Sequence, residues 1–347
     1  MTQADTQVKR IAVDGVRHIA VIGAGSWGTA LGDIVRRAGH SVILYARDAG
    51  LADTINARHE NPVYLPGLKL HEALRATSDI AVALDRADMV LAVTPVQFMR
   101  DMCAKIKPHL RAGVPLVNCA KGIEIATGLL PADIVAEALP ETPYAALSGP
   151  TFASEVIRGL PAAATFATTA PREAAAIWAQ AVKSPTFRPY LGQDVVGVDI
   201  AGAIKNVIAI ACGIVEGQNL GQNARAAVMT RGMAEIKRFG LARGAKAETF
   251  LGLSGVGDLM LTCNSMTSRN FSLGHALGQG QSLAEITAAR RTVAEGVATA
   301  RALALAAHKA GIDMPICGAV DHILHQSAKV ADVIHDLLAR AIRTEDD

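Results

Sequence analysis

One stretch near the amino end restricts the fold of this chain more than any other. His18 to Ile22 is a short β-prone run that passes straight into Gly23-Ala24-Gly25-Ser26-Trp27-Gly28. Trp27, Ala30, Leu31, Ile34, Val35 and Ala38 then recur at helical spacing until Gly39 stops the pattern, and Ser41 to Tyr45 reads as a second strand. Strand, glycine turn, helix and strand within about thirty residues is the context that makes GxGxxG a dinucleotide-binding pattern rather than a chance run of glycines. Gly23 allows the tight turn, Gly25 lets backbone approach a pyrophosphate, and Gly28 permits close packing of helix on strand. The helix start adds N–H groups and a partial positive charge.

The second strand ends Tyr45-Ala46-Arg47-Asp48. Arg47 falls where an adenosine ribose would lie, and a guanidinium there pairs with a 2′-phosphate and stacks on adenine. The reading therefore leans to NADP(H), with NAD(H) as a second cofactor because Asp48 could accept from a ribose hydroxyl. An ordinary surface role for Arg47 is the alternative.

Further strands are predicted at Ile80 to Ala83, Met89 to Val93, Pro115 to Cys119, Ala145 to Leu147 and Ala162 to Phe166, with helical patterns between several of them. That order predicts an α/β fold whose amino-terminal part is a mostly parallel, doubly wound sheet of Rossmann type. Ligands of such sheets lie beyond the carboxyl ends of the strands. Those ends carry Thr94-Pro95, Ala120-Lys121-Gly122 and Ser148-Gly149-Pro150-Thr151. Lys121 is thereby a candidate for cofactor or substrate phosphate, against the alternative of a solvated loop lysine.

From about Val195 the strand signal fades. Val198 to Glu216 reads VDIAGAIKNVIAIACGIVE, apolar all round its helical circumference and broken in mid-run only by Lys205 and Asn206. An unpaired buried ammonium costs several kcal/mol, so a lysine kept there needs a carboxylate, a phosphate or a catalytic task, unless its head reaches solvent at a groove. The same two residues argue against a bilayer span. Helical patterns at Ala224 to Phe239 and Val293 to Ala310 complete an all-helical carboxyl-terminal domain, and a cleft between the two domains is the default binding site.

The loop Leu251 to Asn270 is polar and specific. Ser268-Arg269-Asn270 sets a hydroxyl, a guanidinium and an amide side by side, a combination that suits an anion, although many such triplets are plain caps or turns. Asp258, within Gly255-Val256-Gly257-Asp258, could orient a lysine or a substrate hydroxyl, or could close an Asx turn.

Composition sets the outer limits. The 347 residues suffice for two cores at 50% apolar content, and a net charge of +2 leaves no electrostatic footprint for nucleic acid or an anionic membrane. Cys103, Cys119, Cys212, Cys263 and Cys317 are widely spaced, without a CxxC pair or histidines at metal-ligand spacing, and read as reduced cytosolic thiols with no metal expected. The amino-terminal residues have no long apolar core after their charges and read as an extension rather than a secretory signal. The expected boundaries are 1–17 for the extension, 18–194 for the dinucleotide domain and 195–340 for the helical one.

In sum of motifs, the chain resembles the bacterial type of NAD(P)-dependent glycerol-3-phosphate dehydrogenase. The resemblance runs from His18 to about His325 and rests on eight motifs in order: GAGSWGTAL at Gly23, NPVYLPG at Asn61, AKGIE at Ala120, SGPTFASEV at Ser148, AGAIKNVIAIACG at Ala201, GLSGVGDLMLTC at Gly252, SRN at Ser268 and VAEG at Val293. It implies interconversion of dihydroxyacetone phosphate and sn-glycerol 3-phosphate in the cytoplasm, with flow toward phospholipid synthesis. By matching motif it implies Lys205 as the proton-transferring group, Asp258 as its orienting carboxylate, and Lys121 in contact with cofactor and substrate. Gly149 and Thr151 would hold the substrate, and Ser268, Arg269 and Asn270 its phosphate. Ser26, Trp27, Arg47, Ala153, Val293, Glu295 and Arg269 would complete the cofactor site. The expected partner is the small-molecule substrate, with a homodimer as an open option. The loop from Glu216 to Asn223 and the strand end Thr94 to Gln97 depart from the family pattern.

Overall fold

The computed structural model describes residues 15–289, 294–342 and 344. The chain divides into two compact units, one formed by residues up to Ala120 and from Pro131 to Val195, the other by Lys121–Leu130 and the chain from Val196 onward. The excursion of residues 121–130 into the helical unit carries Lys121 away from the strand it follows, and nothing in the local sequence pattern signals that crossing.

The main sheet of this first unit has, among the described residues, eight strands: β1 (His18–Ile22), β2 (Ser41–Tyr45), β3 (Arg75–Thr77), β4 (Met89–Ala92), β5 (Leu116–Asn118), β6 (Tyr144–Ser148), β7 (Ala162–Thr168) and β8 (Phe187–Gly192), in the spatial order β8-β7-β6-β5-β4-β1-β2-β3. Every pairing is parallel except β6 with β7. β4 is buried at every residue, as are the last four residues of β1, which is why both read as continuous apolar runs. The chain leaves β1 for β2 and β3 on one side and returns to β4 on the other. That reversal is the switch point at which such sheets bind ligands beyond their carboxyl ends.

One expected strand is a helix. Ile80–Leu84 is α-helical, and the Asp79 side chain caps it by accepting from the N–H groups of Ala81 and Val82 at 2.8 and 3.4 Å. The short apolar run of Ile80 to Ala83 fits either state, and the cap decides it. The edge position beside β2 belongs instead to Arg75–Thr77, whose three residues are too few and too polar to register as a strand. β8 escaped notice for a related reason, since Pro189 interrupts it and its edge position exposes Tyr190 and Leu191.

In the helical unit the central element is Val195–Gly217, slightly longer than its sequence pattern. Its mean hydropathy of 1.8 would suit a bilayer, yet that window is wholly buried inside the protein. A second helix, Arg269–Gly278, packs against it backbone to backbone. A methyl at Gly213 would stand 2.1 Å from the Phe271 carbonyl oxygen, and one at Gly274 would stand 2.0 Å from that of Ile210. This contact holds the Ser268 triplet against the turn of the central helix that carries Lys205 and Asn206. A further cross-tie comes from Glu235 on Gly221–Ala242, whose buried carboxylate accepts the N–H groups of Ile316 and Cys317 at 2.7 and 3.0 Å and so caps the helix Pro315–His325.

Candidate active site

Lys205 lies on the central helix with 6% of its surface exposed, so its head does not reach solvent. Its ammonium donates to Asp258 Oδ1 at 2.7 Å and to Thr262 Oγ1 at 2.6 Å. The other carboxylate oxygen of Asp258 accepts from the ammonium of Lys121 at 2.6 Å. Thus one carboxylate bridges two lysines, one oxygen to each, with Asp258 and Lys205 buried and Lys121 half-buried. Asp258 opens the short helix Asp258–Cys263 and makes no Asx turn; Thr262, four residues on, falls on the same face and donates to Asp258 Oδ1 at 3.2 Å.

Burial drives the Lys205 ammonium down to about 8, with the neighbouring Lys121 charge pushing the same way against the pull of Asp258. Asp258 goes the other way. Burial alone would raise it, but the two ammoniums together hold its carboxyl below the ordinary carboxylate range. The cluster therefore carries two cations against one anion, an imbalance that favours an incoming anion.

Lys121 is held at its backbone as well, because its N–H donates to the Glu295 side chain. Burial raises the Glu295 carboxyl above its ordinary value, while Arg269 and Lys121 pull it back down. Glu295 is the first residue of the helix Glu295–Ala310. Val293 lies outside the described residues.

The Ser-Arg-Asn triplet starts the helix Arg269–Gly278. Ser268 is its cap, its Oγ accepting from Phe271 N–H at 3.2 Å, which leaves the hydroxyl proton able to donate elsewhere. Arg269 is exposed in the first turn. Asn270 is buried and largely occupied within the protein: its amide donates to Asn206 Oδ1 at 2.9 Å and its oxygen accepts from Gly296 N–H at 3.0 Å. Asn206, the second break in the apolar run, thereby ties Lys205's helix to the triplet and to the Glu295 turn.

The sheet unit carries the remaining candidates. A methyl on Gly28 would sit 1.8 Å from the Gly23 carbonyl oxygen, so only glycine lets this helix lie on the turn, whereas a methyl on Gly25 would meet nothing within 4 Å. Gly25 is also the helix cap, with no side-chain cap and no acid in the first turn. An open backbone face, an uncapped helix start and no nearby first-turn carboxylate fit a dinucleotide pyrophosphate. Trp27 packs on Phe187, with ring centroids 6.3 Å apart, and the Ser26 hydroxyl donates to the Tyr64 carbonyl at 2.9 Å. Gly149 and Thr151 follow β6; a methyl on Gly149 would stand 2.8 Å from the Ala164 backbone, and Thr151 Oγ1 donates to the Gly149 carbonyl at 3.1 Å. Ala153 begins the next short helix.

Two family models match, the amino-terminal part of NAD-dependent glycerol-3-phosphate dehydrogenase over residues 18–174 and its carboxyl-terminal part over 194–335. The chain belongs to the NAD-dependent glycerol-3-phosphate dehydrogenase family. It is 51% identical over 329 residues to glycerol-3-phosphate dehydrogenase [NAD(P)+] of Parvibaculum lavamentivorans, spanning 95% of this chain and 98% of that one. The Rhodospirillum rubrum enzyme of the same name is also 51% identical, over 95% of this chain and 94% of its own. The crystal structure of glycerol-3-phosphate dehydrogenase from Coxiella burnetii superposes with a TM-score of 0.90 at 35% identity, covering 94% of this chain and 99% of that one.

Within this glycerol-3-phosphate dehydrogenase family member, the end of β2 divides its two polar residues between different tasks. Arg47 is exposed, while Asp48 caps the helix Ala49–Arg58 by accepting from Leu51 N–H at 3.2 Å. One Asp48 oxygen is thereby engaged in holding the fold. Thr262 is the member of the lysine cluster that the sequence reading missed. Its signal was available as the spacing from Asp258, but a threonine in an apolar run reads as core until Lys205 is placed beside it.

Proposed function

We propose that this chain catalyses reversible transfer of a hydride between NAD(P)H and dihydroxyacetone phosphate, giving sn-glycerol 3-phosphate. The observation that carries the reading is Asp258 bridging Lys121 and Lys205 in a member of this dehydrogenase family. When bound at the Gly23 turn, the dinucleotide supplies the hydride through its nicotinamide.

The chain's own residues supply position and one proton. Lys205 as the ammonium donates to the carbonyl oxygen of dihydroxyacetone phosphate as that oxygen gains negative charge. In the reverse direction the neutral amine takes the proton of the substrate hydroxyl, which its lowered pKa of about 8 favours near working pH. Asp258 holds both lysines and keeps Lys205 aimed. Thr262 takes one of the remaining ammonium protons, so the third is directed to substrate. Lys121 offers a second cation to the anionic substrate. Arg269, the Ser268 hydroxyl and the helix start at Ser268 bind the phosphate, with Asn270 fixing that turn against Asn206. Anchoring the phosphate aligns the reacting carbon.

Arg47 selects NADPH by pairing with its 2′-phosphate. Ser26, Trp27, Ala153 and Glu295 border the cofactor, and Gly149 and Thr151 border the substrate. Cytoplasmic location, a homodimeric state and supply of glycerol 3-phosphate to phospholipid synthesis belong to the same reading. The deciding experiment adds dihydroxyacetone phosphate to purified protein and follows NADPH absorbance. Oxidation dependent on that substrate, abolished by Lys205→Ala with NADPH binding retained, is expected. NADPH oxidation only with a 3-oxo carboxylate would overturn the substrate assignment.

A further inference from the structure

The NPVYLPG segment has a task in this fold that the reaction chemistry above leaves unused. It forms a small hairpin, Glu60–Asn61 paired antiparallel with Leu65–Lys69, in the same unit as the glycine turn. Asn61 is fully buried. Its amide donates to the Ala24 carbonyl at 2.9 Å and to Thr29 Oγ1 at 2.8 Å, and its oxygen accepts from Tyr64 N–H at 3.1 Å. Thr29 Oγ1 in turn donates to the same Ala24 carbonyl at 3.3 Å.

The hairpin and the turn that follows it meet one face of the helix Ser26–Arg37 at three places. Ser26 Oγ donates to the Tyr64 carbonyl at 2.9 Å, Thr29 joins Asn61, and Asp33 Oδ1 accepts from His71 N–H at 2.5 Å. These positions follow helical spacing, and Thr29 and Asp33 are fully buried. The stripe Ser26, Thr29 and Asp33 is thus a polar seam closed over by this segment.

We infer that Asn61 is a positioning residue for the dinucleotide, acting through the Ala24–Gly25 peptide. The peptide is planar, so its N–H points opposite to its carbonyl. With the Ala24 carbonyl held from one side by Asn61 and Thr29, the Gly25 N–H is aimed to the other side, and a methyl at Gly25 would meet nothing within 4 Å, so the glycine leaves room for a ligand to approach. Without those two donors the peptide rotates more freely, and the cofactor must order it on binding. The same latch engages the Ser26 hydroxyl proton on Tyr64, so Ser26 meets a phosphate through its backbone N–H rather than its side chain. This inference rests on the functional reading above, in which a dinucleotide occupies the glycine turn.

The test uses the full chain and NADPH itself. Asn61→Ala is expected to weaken NADPH binding, followed by nucleotide fluorescence, roughly tenfold or more. At saturating NADPH, kcat and the KM for dihydroxyacetone phosphate should stay within about threefold of wild type. Thr29→Val, which keeps volume but removes the hydroxyl that links Asn61 to the Ala24 carbonyl, serves if Asn61→Ala does not fold; it should weaken NADPH in the same sense, and Thr29→Ser should restore it. If the wild type binds NADPH and the folded variants bind it equally well, or lose kcat and both KM values together, the latch is overturned and the functional reading stands. A wild type that binds neither NADPH nor NADH overturns the functional reading and the latch with it.

Discussion

Thr262 Oγ1 accepts a hydrogen bond from Lys205 Nζ at 2.6 Å, from a helix 57 positions further along the chain. The contact places a neutral oxygen beside a buried cation, where it orients the ammonium without adding charge. Replacing the hydroxyl by a methyl group should therefore disturb aim more than fold. In Thr262→Val, kcat should fall about tenfold or more with the dinucleotide Kd unchanged, and Thr262→Ser should recover most of it. Steady-state kinetics on the three proteins checks this, and an unchanged kcat in Thr262→Val would remove the residue from the proton-transfer apparatus.

The two directions of reaction should answer oppositely to pH. Oxidation needs the neutral Lys205 amine, so its rate should rise with pH and level off above about 8; reduction needs the ammonium and should fall through the same region. Lys121 lowers Lys205, so removing that charge in Lys121→Met should move both limbs to higher pH. Limbs that stay in place would mean that Lys205 is not the titrating group.

Asp258→Asn should be the most damaging change in the cluster. It leaves the half-buried ammonium of Lys121 and the buried one of Lys205, 2.6 and 2.7 Å away, facing a neutral amide. Breaking a buried pair in this way costs on the order of 3–5 kcal/mol. Chemical denaturation should show the loss of stability. A bound phosphate or sulfate should restore part of it, since an anion replaces some of the missing charge. Wild-type stability in Asp258→Asn would show that solvent screens the lysines far more than their burial implies.

Cofactor choice can be read at Arg47. Its guanidinium is exposed at the end of β2 while Asp48 is engaged as a helix cap, so Arg47→Ala should raise the KM for NADPH roughly tenfold and leave that for NADH nearly unchanged. Side-by-side titration of the two cofactors decides it. Equal losses would mean that the arginine reads adenine or nothing, and not the 2′-phosphate.

Local patterns carried a large part of this protein. The first βαβ unit was legible because glycine spacing, an amphipathic helix and two apolar strands all point to one structure. Lys205 was legible because a charge inside an all-apolar helix has few explanations. What failed were short segments in which two local states have nearly equal energy. The run at Ile80 became a helix because Asp79 caps it, and the edge strands at Arg75 and Phe187 are strands only because a neighbour offers them a ladder.

By itself, then, the sequence determined the first βαβ unit, the glycine turn at Gly23, the buried helix around Lys205 and the family to which the chain belongs. Only the tertiary structure decided which distant groups share a charge. Asp258 lies 53 positions from Lys205 and 137 from Lys121, and Asn61 lies 37 from the carbonyl it holds at Ala24. Sequence periodicity reports the face on which a residue stands. Which partner meets that face is set by packing between segments far apart in the chain, here by backbone contact between the helices carrying Gly213 and Gly274 and by a hairpin and the turn that follows it folded onto Ser26, Thr29 and Asp33.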